Sequence, residues 1–118
     1  ALDVAPDGNW IALGLSNDSS LRIWDVRRSS WIPPLRSHRR FTPVLFFSND
    51  SKRLISGGAD GRIIVWRIPD FEELAAFDVT PTGNALGDEG VAVVRMAPNG
   101  SSLTALTEDG RVCYFKIK

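Results

Sequence analysis

The sequence predicts an all-β fold made of small antiparallel sheets, and three observations support this prediction. A hairpin pattern occupies residues 54–66, the same pattern recurs along the 118-residue chain, and Pro, Asn, Asp and Gly mark turns between the apolar segments. A chain of this length forms one small domain, and it buries a real core only if its architecture closes on itself.

The stretch from Leu54 to Trp66 is the clearest hairpin. Its first apolar segment ends at Gly57, a tight turn follows at Asp60-Gly61, and the run from Ile63 to Trp66 is unbroken by any polar residue. This pattern describes two antiparallel strands joined by a short turn. Because the run has no polar position on either face, we expect its sheet to be covered on both sides.

The hairpin belongs to a repeated unit. Three aspartates are each followed six residues later by an aromatic residue, namely Asp18 and Trp24, Asp60 and Trp66, and Asp109 and Phe115. The predicted second strands are Trp10 to Leu15, Leu54 to Ser56 and Leu103 to Leu106. The predicted third strands are Leu21 to Val26, Arg62 to Ile68 and Arg111 to Ile117. A first strand ends just before the turn that opens each unit, so three copies of one unit are present.

Two segments are candidates for a fourth, outer strand. Trp31 to Leu35 contains two prolines, which an edge strand tolerates. Glu73 to Phe77 follows the second unit, although Asp70 and Glu73 also resemble a helix capping box. The repeat favours a strand there. The segment from Thr80 to Gly90 is rich in turn residues and is predicted to be a loop.

These units resemble the WD-repeat family of β-propellers, whose blades are four-stranded and recur with a period of roughly 40 to 45 residues. Trp24-Asp25 is the dipeptide that gives the family its name. The segments Phe47-Ser48-Asn49-Asp50 and Leu54-Ile55-Ser56-Gly57 match the family pattern in order and spacing. Ser37-His38 stands where the family places Gly-His. The resemblance implies antiparallel four-stranded blades of a WD-repeat propeller, here a partial one.

The resemblance divides the chain into three blades. Residues 1–37 form a blade that lacks most of its first strand, and residues 38–80 form a blade with a full structural tetrad. Residues 81–118 form a degenerate blade that lacks its outer strand. Since three blades are fewer than the usual four to eight of a closed ring, we expect a segment of a longer propeller, or a chain completed by another copy or another protein.

The resemblance also assigns a hydrogen-bonded tetrad to the middle unit, made of His38, Ser56, Asp60 and Trp66. In it, Asp60 is expected to bind the imidazole and Ser56 to link the imidazole to the Trp66 indole. The third unit has Gly87, Ala105 and Phe115 at three of these positions. In the first unit the serine position falls at Leu13 or Gly14.

Catalytic and metal-binding functions find little support in the sequence. Ser56, His38 and Asp60 could be read as a nucleophilic triad, but no nucleophile elbow surrounds the serine. One His and one Cys cannot build a zinc site alone, and no loop has the ligand spacing of a calcium site. Cys113 is expected to be an inert buried thiol. We therefore expect no catalytic residue, no metal, no cofactor and no small-molecule substrate.

A basic loop is the best candidate for partner binding. It contains Arg36, Arg39, Arg40 and Phe41, and the matching loop of the third unit carries Asp88 and Glu89. The alternative is that this basic segment is a solvated connecting loop that binds no partner. Opposite charges on adjacent units suit a specific protein contact better than a continuous nucleic-acid track.

We therefore expect a protein-interaction scaffold without chemistry of its own, with RNA binding through the basic loop as the alternative. The chain has 14 basic and 14 acidic residues, which argues against a general affinity for nucleic acid or anionic membranes. No apolar run is long enough to cross a bilayer as a helix. A single cysteine is compatible with a reducing compartment, so we expect an intracellular protein, cytoplasmic or nuclear.

Overall fold

A computed structural model describes residues 1–14, 20–36, 44–58, 61–78, 91–97, 100–107 and 110–117. Within these ranges the chain is all-β and contains no helix. The first sheet contains β1 (Leu2–Val4), β2 (Trp10–Gly14), β3 (Leu21–Asp25) and β4 (Ser30–Trp31). The second contains β5 (Val44–Phe47), β6 (Arg53–Gly57), β7 (Arg62–Arg67) and β8 (Glu72–Asp78). The third contains β9 (Val91–Met96), β10 (Ser102–Thr107) and β11 (Val112–Lys116).

Each sheet is an antiparallel meander in which consecutive strands are neighbours. The all-β class, the antiparallel four-stranded sheets and the hairpin at residues 54–66 are thereby confirmed. In that hairpin Ser56 pairs with Ile64 and Leu54 with Trp66. Because both faces of this hairpin are buried, the apolar run does not fix the register by itself, and the short connection between the two strands sets it.

The turn that opens each sheet has the same geometry in all three. The N–H groups of Gly8, Ser51 and Gly100 donate to the carbonyl oxygens three residues earlier, at 2.8, 3.0 and 2.8 Å. These three residues have positive φ angles of 78°, 60° and 74°. Glycine adopts this left-handed conformation without strain, whereas Ser51 adopts it at a cost.

Two apolar seams join the sheets. In the first seam, Ile23 of the first sheet and Leu54, Ile64 and Trp66 of the second belong to one buried cluster. In the second seam, a separate buried cluster joins the opposite face of the second sheet to the third sheet. Its fully buried members are Ile55, Ile63, Val65, Val94, Leu103 and Ala105. The run Ile63 to Trp66 is thus covered on both faces, as predicted.

The outer strands differ from each other. The segment at Glu72–Asp78 is a strand of the second sheet, which confirms the strand interpretation over the helical one. The prediction of a continuous strand from Trp31 to Leu35 is wrong, because β4 ends at Trp31. Pro33 and Pro34 carry no N–H for the ladder. Pairing resumes beyond them, where Leu35 exchanges backbone hydrogen bonds with Leu21 at 2.8 and 2.9 Å.

The third sheet has three strands within the described ranges. Cys113 in β11 is half-buried, so the expectation of a buried thiol is wrong. Cys113 lies on the face that packs in the second seam, but β11 is the edge strand of its sheet within the described residues, so the seam covers the thiol only in part. A search of the described residues finds no helix long and apolar enough to cross a membrane.

Candidate functional site

The centre of the second sheet contains a buried polar pair. The Trp66 indole Nε1–H donates a hydrogen bond of 2.9 Å to the Ser56 hydroxyl. Ser56 is fully buried, and only 4% of Trp66 is exposed. Strands β6 and β7 place both side chains on the face that packs against the first sheet. A buried indole N–H needs such an acceptor, because leaving it unpaired costs about 1 to 3 kcal/mol.

Register identifies the matching positions in the other sheets. Ser56 pairs with Ile64, two residues before Trp66. In the first sheet Leu13 pairs with Arg22, two residues before Trp24, so Leu13 and not Gly14 holds the serine position. In the third sheet, Ala105 likewise pairs with Cys113, two residues before Phe115. The first and third sheets therefore have no hydroxyl to accept from an aromatic residue at this place.

Most of the other predicted site residues lie outside the described residues. This holds for His38 and Asp60 of the tetrad and for Arg39, Arg40, Phe41, Asp88 and Glu89 of the proposed partner-binding loops. The tetrad as a whole and the charged loops therefore stay predictions. Arg36 is described, and it is exposed directly after the Leu35 bridge.

An exposed aromatic cluster on the first sheet was not predicted from the sequence. Trp24 and Trp31 are cross-strand neighbours whose rings meet edge to face, with centroids 5.0 Å apart. The Arg22 guanidinium lies 5.0 Å from the centroid of the Trp31 ring, within the range of a cation–π contact. The Arg22 Nε is buried and has no hydrogen-bond partner in the described part of the chain.

We call this surface the open face of the first sheet. Pairing places seven side chains on it, namely Leu2, Val4, Ile11, Leu13, Arg22, Trp24 and Trp31. Leu2 is 63% exposed and Trp31 is 47% exposed. The signal was present in the alternation along β3, where Leu21 and Ile23 face the first seam and Arg22 and Trp24 face away.

The third sheet also has an open face, opposite the second seam. Val112 and Tyr114 are 72% and 62% exposed there, and Leu106 is exposed beside them. Arg95 and Lys116 share this face by register. It is therefore less apolar than the open face of the first sheet and carries positive charge.

Charged groups elsewhere form local contacts on the surface. Arg67 pairs with Asp70 and donates to Glu72 at 2.9 Å. The hydrogen bond from Arg67 holds the pKa of Asp70 below its ordinary value, and the Asp70 carboxylate raises the pKa of Arg67. The Ser48 hydroxyl and the Lys52 N–H donate to Asp50 and lower its pKa. No group of three or more potential metal ligands occurs among the described residues.

Comparison with known proteins identifies the repeated unit. The family profile described as "WD domain, G-beta repeat" matches residues 1–25 and 35–67. These ranges contain most of the first sheet and the first three strands of the second.

Relatives of this chain are larger proteins. Topless-related protein 4 of Arabidopsis thaliana is 35% identical over 80 residues, which is 67% of this chain and 7% of that protein. WD repeat and SOCS box-containing protein 1 of Homo sapiens is 34% identical over 71 residues, covering 59% of this chain and 17% of the relative. WD repeat-containing protein 44 of Xenopus laevis is 25% identical over 114 residues, covering 97% of this chain and 12% of the relative.

The alignments thus span less than a fifth of the length of these relatives. Profile, relatives and antiparallel sheets agree with one another, and the sheets have the strand order of propeller blades. The chain belongs to the WD-repeat family.

Proposed function

We propose that this chain is a protein-interaction scaffold, a run of WD-repeat blades that holds binding surfaces in place and performs no chemistry of its own. The observation that carries the proposal is the open face of the first sheet. It combines two tryptophans and one arginine with exposed aliphatic side chains. Trp and Arg are enriched among the residues that dominate the energy of protein interfaces.

The chemistry of the open face indicates what covers it. At each of the two seams, an apolar sheet face is covered by the next sheet. The open face of the first sheet is likewise apolar apart from Arg22, whose Nε can donate to a carbonyl or carboxylate of the partner. We take the occupant to be a further blade-like β-sheet that presents an acceptor opposite Arg22.

A pair of matched variants tests this site. Trp31→Ser removes the exposed ring, and Leu74→Ser changes a similarly exposed apolar residue on β8, outside the open face. We expect proteins that purify with the chain to be lost with Trp31→Ser and kept with Leu74→Ser. A photo-crosslinking amino acid at position 31 should capture a strand of a sheet, identified by mass spectrometry. Equal losses in both variants, or capture of a non-sheet segment, would contradict the proposal.

The charged loops are the second part of the proposal. Arg36, Arg39, Arg40 and Phe41, together with Asp88 and Glu89, are proposed to contact a partner protein, and the exposure of Arg36 supports this. RNA binding through the same loop is the alternative. Binding of RNA should weaken steeply with salt, because each phosphate contact releases a counterion. We expect Arg39→Glu with Arg40→Glu to reduce protein capture at physiological salt. A loss confined to RNA binding would favour the alternative.

A further inference from the structure

The two seams differ at the end near the turns that join the first and second strands of each sheet. Equivalent positions there carry different side chains in the two seams. In the first seam Trp10 and Phe47 occupy two of these positions, and the Trp10 ring meets Phe71 edge to face at 5.0 Å. In the second seam, register places Arg53 at the position of Trp10 and Met96 at that of Phe47. The second seam therefore has no aromatic ring at these two positions, although Phe77 and Phe115 stack elsewhere in it.

At this end of the first seam, a hydrogen bond joins the first turn to the second turn. The Asp7 N–H of the first turn donates to the Ser51 hydroxyl of the second turn at 3.0 Å. Gly100 holds the position of Ser51 in the third turn, with a similar positive φ, and it has no hydroxyl. Asp50, the counterpart of Asp7, has no acceptor for its N–H among the described residues.

A pocket opens at this end of the second seam. Its volume is about 250 Å³, and it is lined by Asp50, Arg53, Met96, Gly100, Ser101 and Ile117, with Ser48 beside them. Pockets for drug-sized ligands have volumes of roughly 300 to 1,000 Å³, so this one lies just below that range and has room for a small group such as one side chain. Met96 and Ile117 supply an apolar wall, and the turns supply polar groups.

The polar groups of the pocket include both a donor and an acceptor. One Asp50 carboxylate oxygen, Oδ1, accepts from the Ser48 hydroxyl at 2.6 Å and from the Lys52 N–H at 3.0 Å. The other oxygen, Oδ2, has no hydrogen-bond donor among the described residues. The Asp50 N–H is the donor. Arg53 and Asp50 both line the pocket and carry opposite charges that attract each other.

We propose that this pocket binds the neutral carboxamide side chain of a glutamine from a partner protein. The carboxamide oxygen accepts from the Asp50 N–H, as the Ser51 hydroxyl does from Asp7, and its NH₂ group donates to the free Asp50 oxygen. The two methylenes of the glutamine pack against Met96 and Ile117. Because Asp50 and Arg53 carry opposite charges, the lining offers a charged ligand no net attraction, and a neutral carboxamide matches its donor and acceptor. The site rests on the proposed scaffold function only in taking its ligand from a protein.

The pocket can be tested without any partner. The probe is N-acetyl-glutamine methylamide, titrated into the ¹⁵N-labelled chain and followed by amide chemical shifts. We expect saturable shifts at Asp50 and Ser101 with millimolar affinity, as is usual for a fragment of this size. N-acetyl-glutamate methylamide has the same shape with a negative charge, and it should bind about fivefold more weakly or not at all.

Two variants extend the test. A Cβ added at Gly100 would lie 3.9 Å from the Met96 sulfur, an ordinary contact, but the φ of 74° strains any side chain there. Because Ser51 already adopts this conformation in the second turn, we expect Gly100→Ser to fold at some cost in stability and to close the pocket with a hydroxyl. This variant should abolish the glutamine shifts while leaving thermal unfolding cooperative. Ser51→Gly removes the acceptor of Asp7 in the first seam, where Trp10 and Phe47 fill the space, and it should leave the glutamine shifts at Asp50 and Ser101 in place.

The outcomes distinguish this site from the open face. Shifts that are absent in the unmodified chain, or that persist unchanged in Gly100→Ser, would overturn the proposal. Equal affinity for the glutamine and glutamate probes would also overturn it. None of these results bears on crosslinking from position 31, so the pocket and the scaffold proposal can fail separately.

Discussion

The buried Trp66–Ser56 hydrogen bond gives a quantitative test of what holds the second sheet together. Ser56→Ala removes the acceptor and leaves the buried indole N–H without this partner. A net neutral hydrogen bond contributes about 1 kcal/mol, and an orphaned buried donor costs about 1 to 3 kcal/mol. Because Ser56 is fully buried and the bond is 2.9 Å long, we expect Ser56→Ala to lower the free energy of unfolding by about 2 kcal/mol.

A double-mutant cycle isolates the contribution of this bond. Trp66→Phe removes the donor and reproduces the aromatic residue that the third sheet has at Phe115. Ser56 has a further interaction besides the one with Trp66, so some cost of Ser56→Ala should remain in the Trp66→Phe background. We expect that remaining cost to be smaller by about 1 to 2 kcal/mol, the coupling energy of the pair.

The assay is urea unfolding followed by far-ultraviolet circular dichroism, which does not depend on the fluorescence of the substituted tryptophan. Amide hydrogen exchange then shows whether the loss is confined to β6 and β7, because local opening can differ between sheets. Thr104→Ala is a control on an exposed position of the third sheet. A coupling energy below about 0.3 kcal/mol would refute the reasoning that this hydrogen bond stabilises the sheet.

Three further predictions follow from the seams and turns. The Phe47 N–H donates to the Asp3 carboxylate across the first seam at 2.8 Å, so Asp3→Ala should cost about 1.5 to 3 kcal/mol and speed amide exchange at Phe47. Asp7→Ala, which removes only a contact to the nearby Asn9 N–H, should not speed exchange at Phe47. The Ser48 hydroxyl and the Lys52 N–H lower the pKa of Asp50 below 3.8, so its stabilising effect is complete above that pH and is lost as the pH falls through the folded-state pKa. Asp50→Asn should therefore flatten urea stability between about pH 4 and pH 2, and an unchanged acid slope would contradict the assignment. If the tetrad forms, His38→Ala and Asp60→Ala should lower the melting temperature more than Asp109→Ala does, and equal shifts for Asp60→Ala and Asp109→Ala would count against it.

The repeated features of the fold could be predicted because they recur in the sequence. The apolar run Ile63 to Trp66 specified a strand covered on both faces, and the repeat assigned Glu72–Asp78 to a strand against a local capping pattern. Local preferences are weak, so the outer strand expected from the repeat outweighed the capping pattern there. The end of β4 depended on Pro33 and Pro34, which interrupt the ladder but do not prevent Leu35 from pairing again.

The features that distinguish one unit from another could not be predicted in the same way. The Trp24–Trp31 contact depends on cross-strand pairing, which brings together residues that are not adjacent in sequence. The pocket depends on the difference between Ser51 and Gly100, which both satisfy the same turn. A substitution that is neutral for a turn can therefore change what lies between two sheets.

The seams have a direction that limits how copies of this chain could associate. The face that carries Trp66 packs on the preceding sheet, and the face that carries Phe115 does the same. The open face with Trp24 is consequently the kind that packs on a preceding sheet, and the open face with Tyr114 is the kind that packs on a following sheet. Pairing one kind with the other is heterologous, so it produces a head-to-tail ring or an open filament. A two-fold dimer would bring like faces together and could not reproduce the packing of either seam.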